Sequence, residues 1–169
     1  LNNQRIDALS TGHIRRAKPS IQKDEGINYG ELAESTGFLL RRAQLSVLAD
    51  LIDGLQPLDL KPAQFSVLAI IDANPDRAQS DLCAPLGIQR PNFVAMLDEL
   101  ESRGLTKRCV SRHDRRIRTV ALTAAGERVL KQAVSVHNSH EQRLLERLGV
   151  KGRAQFERLL QRLITAEQA

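Results

Sequence analysis

The sequence predicts a mainly α-helical fold with one small β-hairpin, and three observations carry that reading. Apolar residues recur at three- to four-residue spacing through most of the chain beyond residue 28. Two short runs, 105–110 and 117–122, mix apolar and polar residues in a strand-like alternation around a polar turn. Aromatic residues make up 3% of the 169 and Trp is absent, too few for a β-sandwich or barrel, whose strands draw on aromatic and β-branched side chains.

Taken in order, residues 1–28 are polar, with Gly12, Pro19 and Gly26, and read as an extension. Asn28 stands three residues before Glu31, a capping-box spacing, and predicts a long amphipathic helix over 29–54, stopped by Gly54 and Pro57. Pro62 suits the first turn of a second helix that ends near Asn74 and Pro75. A short helix over 79–85 and another over 90–103 follow, the latter with Val94, Leu97 and Leu100 inward and Gly104 at its end. The alternating runs flank the polar stretch 111–116 and form the hairpin. Thr123 caps a long helix to about 147, Gly149 and Gly152 break it, and a last helix carries Phe156, Leu159, Leu160, Leu163 and Ile164. The long outer helices have wide apolar stripes and little inside one small domain to cover them. A second copy of the chain, in a two-fold homodimer, is the expected cover.

Composition excludes several classes. The longest apolar runs are a few residues, so no membrane span is expected. No basic-then-apolar segment opens the given sequence, so no signal peptide is expected. Cys83 and Cys109 make no disulfide framework, which points to a cytoplasmic setting. Both cysteines read as buried and structural, not as redox sensors. The His and Cys spacing matches no metal site, no cofactor is implied, and no nucleophile–base pair or phosphate loop suggests an enzyme. The scarcity of aromatics disfavours a single-strand binder built on base stacking.

Charge is more informative in its placement than in its sum. The chain carries a formal net charge of +5. Residues 103–118 hold Arg103, Lys107, Arg108, Arg112, Arg115, Arg116 and Arg118 against Asp114 alone, a local excess of +6. Such clustering is the electrostatic footprint of a polyanion partner, although a solvated charged face has the same composition. Immediately before it, residues 79–97 have the form of a helix-turn-helix. Cys83 and Ala84 supply small residues where two helices cross, Gly87 tolerates the positive φ of the turn, and Ile88 and Val94 fill the corner. A helix-turn-helix followed by a basic hairpin places one helix in the DNA major groove and cations beside it.

Together the segments Leu97-Asp98-Glu99-Leu100-Glu101-Ser102-Arg103-Gly104-Leu105, Asp114-Arg115-Arg116 and Val120-Ala121-Leu122-Thr123-Ala124-Ala125-Gly126 resemble, with the same gaps, the MarR (multiple antibiotic resistance regulator) family of winged helix-turn-helix transcription factors. The resemblance covers about residues 30–168. It implies a homodimer clasped by its terminal helices, bound to a near-palindromic double-stranded operator and acting as a repressor released by a small ligand. The expected organisation is an extension over 1–28, a dimerisation helix over 29–56, a winged helix-turn-helix over 57–122 and dimerisation helices over 123–169. The alternative is an interaction module of the same fold that has lost sequence-specific DNA binding; the intact Asp114-Arg115-Arg116 wing speaks against it.

Gln89, Arg90, Pro91 and Asn92 open the helix that would meet the duplex. Arg90 suits bidentate contact with guanine and Asn92 with adenine; the spacing leaves open which of them faces a base and which a phosphate. Gln89 departs from the usual Ser, Thr or Asp cap, and Pro91 in the first turn costs no helical hydrogen bond. Ser80 is placed to reach a phosphate. Arg112, His113, Arg115 and Arg116 form the expected wing, where a narrow minor groove attracts arginine. The resemblance implies that Asp114 orients one of these guanidinium groups; the residue type alone also fits a simple turn former. Lys107, Arg108, Arg112 and Arg118 are expected to screen phosphates.

The family usually keeps a ligand pocket between the helices expected at 29–54, 62–74 and 123–147. Phe38, Arg41, Arg42, Phe65, His137 and His140 are the candidate lining, with the arginines suited to an anionic or phenolic effector and the phenylalanines to its apolar part. Arg41 and Arg42 also fit snorkelling to solvent or pairing with carboxylates, and the histidines fit structural roles. The stretch Phe38-Leu39-Leu40-Arg41-Arg42-Ala43 is similar to branches of the family that sense phenolic acids, aldehydes and their coenzyme A thioesters.

Overall fold

The computed structural model describes residues 26–111, 114 and 116–165. The chain forms two units, Leu1–Arg42 and Ala43–Ala169. Residues 1–25 of the expected extension, and the expected wing residues Arg112, His113 and Arg115, lie outside the described residues.

In the first unit, Asn28 makes a local turn instead of capping the expected helix. Its Oδ1 accepts the N–H of Gly30 at 2.9 Å, and a 3-10 turn follows over Gly30–Glu34. A side chain bonding the backbone two residues ahead makes a local turn that competes with an α-helical start. Ser35 is extended, with ψ 122°, and its carbonyl accepts the first α-helical bond, from the N–H of Leu39 at 2.9 Å. The single helix expected over 29–54 is thus a 3-10 turn and then α1 (Thr36–Leu55).

Gly54 does not stop α1. It is helical, and a Cβ added there would lie 2.6 Å from Val136 Cγ1, so its missing side chain lets the C-terminal long helix approach. The helix ends one residue later, before Pro57. The α2 helix (Pro62–Ala73) starts as expected, and the Gln64 side chain accepts the Lys61 N–H at 2.9 Å. Next come α3 (Gln79–Cys83), a 3-10 turn over Ala84–Leu86, and Gly87 at φ 61°. The α4 helix (Arg90–Ser102) follows, then an antiparallel hairpin of β1 (Thr106–Val110) and β2 (Arg118–Leu122), with Thr106 opposite Leu122 and Val110 opposite Arg118.

The last element is α5 (Ala124–Thr165). Thr123 caps it: its Oγ1 accepts the N–H of Gly126 at 3.1 Å. The helix bends at Gly149, whose φ of 68° and ψ of 162° are not helical, whereas Gly152 continues the helix instead of breaking it. Only the first glycine takes the left-handed conformation that interrupts the hydrogen-bond ladder.

The core lies where α1, α2, α3, α4, the hairpin and the first half of α5 meet. Leu55, Val67, Leu68, Leu97 and Leu100 are at most 1% exposed. Phe93 plugs the helix-turn-helix corner at 1% exposure, while Val94 and Ile88, expected to do so, are half-buried. Residue 93 precedes the expected plug by one position, a 100° rotation that turns Phe93 inward. Ala84 is exposed, leaving Cys83 as the small buried residue, its Sγ 3.2 Å from the Ser80 carbonyl. Cys109 is half-buried, not buried, because it sits on a two-stranded hairpin with one face open. Among the described residues no helix is long and apolar enough to cross a membrane, and no group of His, Cys, Asp and Glu is placed to hold a metal ion.

Candidate nucleic-acid interface

Three elements meet around a cleft of about 430 Å³. The start of α3 contributes Ser80, α4 contributes Arg90, and the hairpin contributes Arg116 and Arg118. Phe93 lines its floor and fixes α4 to the core. The isolated bridge between Ala78 and Thr119 ties the segment before α3 to β2, so the wing and the helix-turn-helix share one frame.

Gln89, Arg90, Pro91 and Asn92 are all exposed at the N-terminal end of α4. Gln89 occupies the cap position without a side-chain cap bond, and Pro91 stands in the first turn. The positive end of the helix dipole and the Arg90 cation therefore point the same way, toward solvent. Ser80 is exposed, and its hydroxyl donates to Asp81 at 3.1 Å. In the wing, the Asp114 carboxylate accepts the backbone N–H of Arg116 at 2.8 Å, and the Asp114 carbonyl accepts the N–H of Ile117 at 3.0 Å. This is the turn-forming arrangement; of the guanidinium groups Asp114 was expected to orient, that of Arg115 lies outside the described residues.

The +6 cluster does not reach solvent intact. Arg108, expected to screen phosphates, is paired with Asp98 and Glu101 of α4. These carboxylates, Asp98 first, raise its already high pKa further. Arg103 reaches the Leu58 carbonyl at 3.3 Å and Asp59 at 3.4 Å. Counting charge along 103–118 missed these acids because they lie outside that window. The available signal was the three-residue spacing of Asp98 and Glu101, which puts both on one face of α4. Lys107, Arg116 and Arg118 remain exposed.

The candidate ligand residues fall in both units. Phe38, Arg41 and Arg42 belong to the first. There the Phe38 and Tyr29 rings are 5.2 Å apart, and the Arg42 guanidinium lies 5.8 Å from the Tyr29 ring centre. Phe65, His137 and His140 belong to the second and come together, with ring centres 5.3 Å apart for Phe65 and His137 and 6.4 Å for His137 and His140. His137 Nδ1 is buried without a hydrogen-bond partner. His140 is 3% exposed, with Nδ1 2.5 Å from Asp50 Oδ2. Arg143 holds the same carboxylate at 2.9 and 3.1 Å. Arg143, then His140, lower the Asp50 pKa. Neither Asp50 nor Arg143 was a sequence candidate, since nothing in the periodicity of α1 announces the partner of a residue 90 positions away.

A second cavity of about 470 Å³ lies between α1 and the two arms of α5. Val47, Leu144, Leu148, Phe156 and Leu160 make it apolar. Arg153 bridges Glu141 and Glu157 at 2.9 and 2.7 Å along it.

A family model described as MarR family matches residues 58–117. The transcriptional repressor CouR, solved on a 23-mer DNA duplex, is 46% identical, with 83% of this chain and 98% of that chain covered and a TM-score of 0.72. CouR bound to p-coumaroyl-CoA is 44% identical, covering 82% and 97%, with a TM-score of 0.75. A putative transcriptional regulatory protein for the hcr operon of Thauera aromatica is 28% identical over 149 residues, 88% of this chain and 90% of that protein. The helix-turn-helix, the hairpin with its Asp-Arg-Arg turn and these relatives agree: the chain belongs to the MarR family of DNA-binding transcriptional regulators.

Proposed function

We propose that this protein is a ligand-responsive repressor that binds a near-palindromic operator as a homodimer and leaves it when an aromatic coenzyme A thioester binds. The observation that carries the DNA half is the cleft in which Ser80, Arg90, Arg116 and Arg118 converge beside the exposed start of α4. In this reading Gln89, Arg90, Pro91 and Asn92 enter the major groove, with Arg90 and Asn92 reading bases. Ser80 meets a phosphate, and Arg116, with Arg112, His113 and Arg115, serves the minor groove beside it. Residues 57–122 are the reading module, and 29–56 with 123–169 hold the two subunits together.

The ligand half rests on the likeness to CouR in complex with p-coumaroyl-CoA. Phe38, Arg41, Arg42, Phe65, His137 and His140 are the proposed contacts. A thioester of this kind joins an apolar phenyl group to a polyanionic carrier, chemistry that suits aromatic walls and arginines together. Release follows from differential affinity: a ligand favouring a dimer whose reading helices no longer match one turn of DNA, about 34 Å, shifts DNA binding by about 1–3 kcal/mol.

The test is fluorescence anisotropy on a duplex from upstream of the protein's own gene, titrated with p-coumaroyl-CoA, free p-coumarate and coenzyme A. The expected result is release by the thioester alone, blunted in Arg41→Ala. Release by none of the three refutes the effector class, and no preference for that duplex over a scrambled one refutes the repressor reading.

A further inference from the structure

We propose that Arg108 is a positioning residue that holds the wing at a fixed angle to α4, not one of the cations that meet DNA. The proposal rests on the DNA-binding reading above. Three contacts converge on this residue. Its guanidinium spans Asp98 and Glu101, and its backbone N–H donates to Glu101 Oε1 at 3.0 Å. Arg108 stands opposite Val120 in the hairpin, so the edge of β1 that faces away from β2 is closed by an α4 side chain. Unpaired strand-edge groups otherwise face water or invite a foreign strand.

The acids are well placed to act as an anchor. Asp98 and Glu101 alternate along α4 with Leu97 and Leu100, which are 1% and 0% exposed. That helix cannot turn without emptying the core. The hairpin has only two strands; the Ala78–Thr119 bridge ties β2 on one side, and the Arg108 contacts tie β1 on the other. Fixing the middle of β1 to α4 sets where Arg116 and Arg118, toward the turn, sit relative to Arg90. The pairing also offsets one of the two carboxylate charges that would otherwise stand beside a polyanion.

The two roles of Arg108 give opposite signs in one variant. The double substitution Asp98→Asn with Glu101→Gln removes two negative charges from a DNA-binding face and leaves Arg108 in place. Coulomb attraction alone then raises affinity, and an Arg108 freed to meet phosphate steepens the salt dependence by about 0.9 per subunit. The clasp requires the reverse. Affinity falls about three- to tenfold, the scale of a small surface ion-pair network, with the salt slope unchanged. A charge reversal supplies the rescue, read by amide exchange because added positive charge raises affinity in either case: Arg108→Glu quickens exchange of 106–122, and adding Glu101→Arg slows it again. Amide exchange of 106–122 without DNA gives a readout independent of any operator, and is expected to quicken in the double variant while α2 and α4 stay protected. Higher affinity, a steeper slope, unchanged affinity or unchanged exchange each overturn the clasp. A parent protein that binds no duplex refutes the repressor reading instead, and exchange still decides whether Arg108 anchors the hairpin.

Discussion

The α4 helix and the arm of α5 beyond Gly149 present similar apolar spacing, yet their fates differ. In α4, Phe93, Leu97 and Leu100 are at most 1% exposed. In the arm, Phe156, Leu159, Leu163 and Ile164 are 40–64% exposed. Helical periodicity marks the face that will be covered but not the body that covers it. The reading module finds its cover within the chain, from α2, the hairpin and the first half of α5. The arm is covered only in part by the described residues of its own unit, through Phe156 and Leu160 beside α1, and in the dimer reading a second subunit covers the rest.

Glycine substitutions in the two arms of α5, one against the covered reading module and one beyond Gly149, sharpen that contrast most. A Cβ at Gly126 would sit 2.0 Å from the Leu105 carbonyl oxygen, backbone against backbone, with no flexible group to yield. Gly126→Ala is expected to cost about 3 kcal/mol or more, read by denaturant unfolding. At Gly152 the nearest atom to an added Cβ is Leu148 Cβ at 3.8 Å. Gly152→Ala, in a helical position, is expected to stabilise by roughly 0.5–1 kcal/mol. Equal effects at the two sites would erase the distinction.

Next in size is the arm itself. Phe156→Glu with Leu163→Glu is expected to weaken self-association at least about a hundredfold in sedimentation, because each exposed apolar side chain is worth about 1.5–3 kcal/mol when buried. The circular dichroism of the remaining helices should persist. Collapse of the whole fold would show that the arm supports its own subunit instead.

A smaller effect is expected at the wing. Arg116→Ala should weaken duplex binding about tenfold at 0.1 M salt and lower the salt slope by roughly 0.9 per subunit, with an unchanged melting temperature. Unaltered affinity would remove Arg116 from the interface.

The smallest effect is a pH dependence. Arg143, then His140, hold the Asp50 carboxyl below its ordinary value of 3.8. A group lowered on folding adds stability above its unfolded pKa and loses it as pH falls through the folded one. Asp50→Asn is therefore expected to lower the melting temperature slightly at neutral pH, with the gap to the parent closing below 3.8. A gap that persists in acid would assign the loss to packing.

How much was legible in the sequence follows the same divide. Pro62, Thr123 and the alternating hairpin runs set their elements through local chemistry, and each appears where the sequence predicts it. The start of α1 was misjudged because Asn28 serves a 3-10 turn as readily as an α-helix. The inward rotation of Phe93 and the close approach at Gly54 depend on what packs opposite, which spacing does not record. Among site residues, Ser80, Arg90 and Arg116 were readable from the helix-turn-helix and wing pattern and meet at one cleft. Asp98, Glu101 and Asp50 were not, because an ion pair between distant elements leaves no local periodicity.

The most direct measurement of the central claim is the salt dependence of duplex binding by the intact protein. Lys107, Arg116 and Arg118 are exposed on each subunit. Two subunits engaging at least these six cations at once give a slope of log K on log salt of about −5 or steeper, at roughly −0.9 per phosphate. A slope of that size on the upstream duplex, with two chains per duplex, is the expected result. A slope near zero, or one chain bound per duplex, contradicts the account.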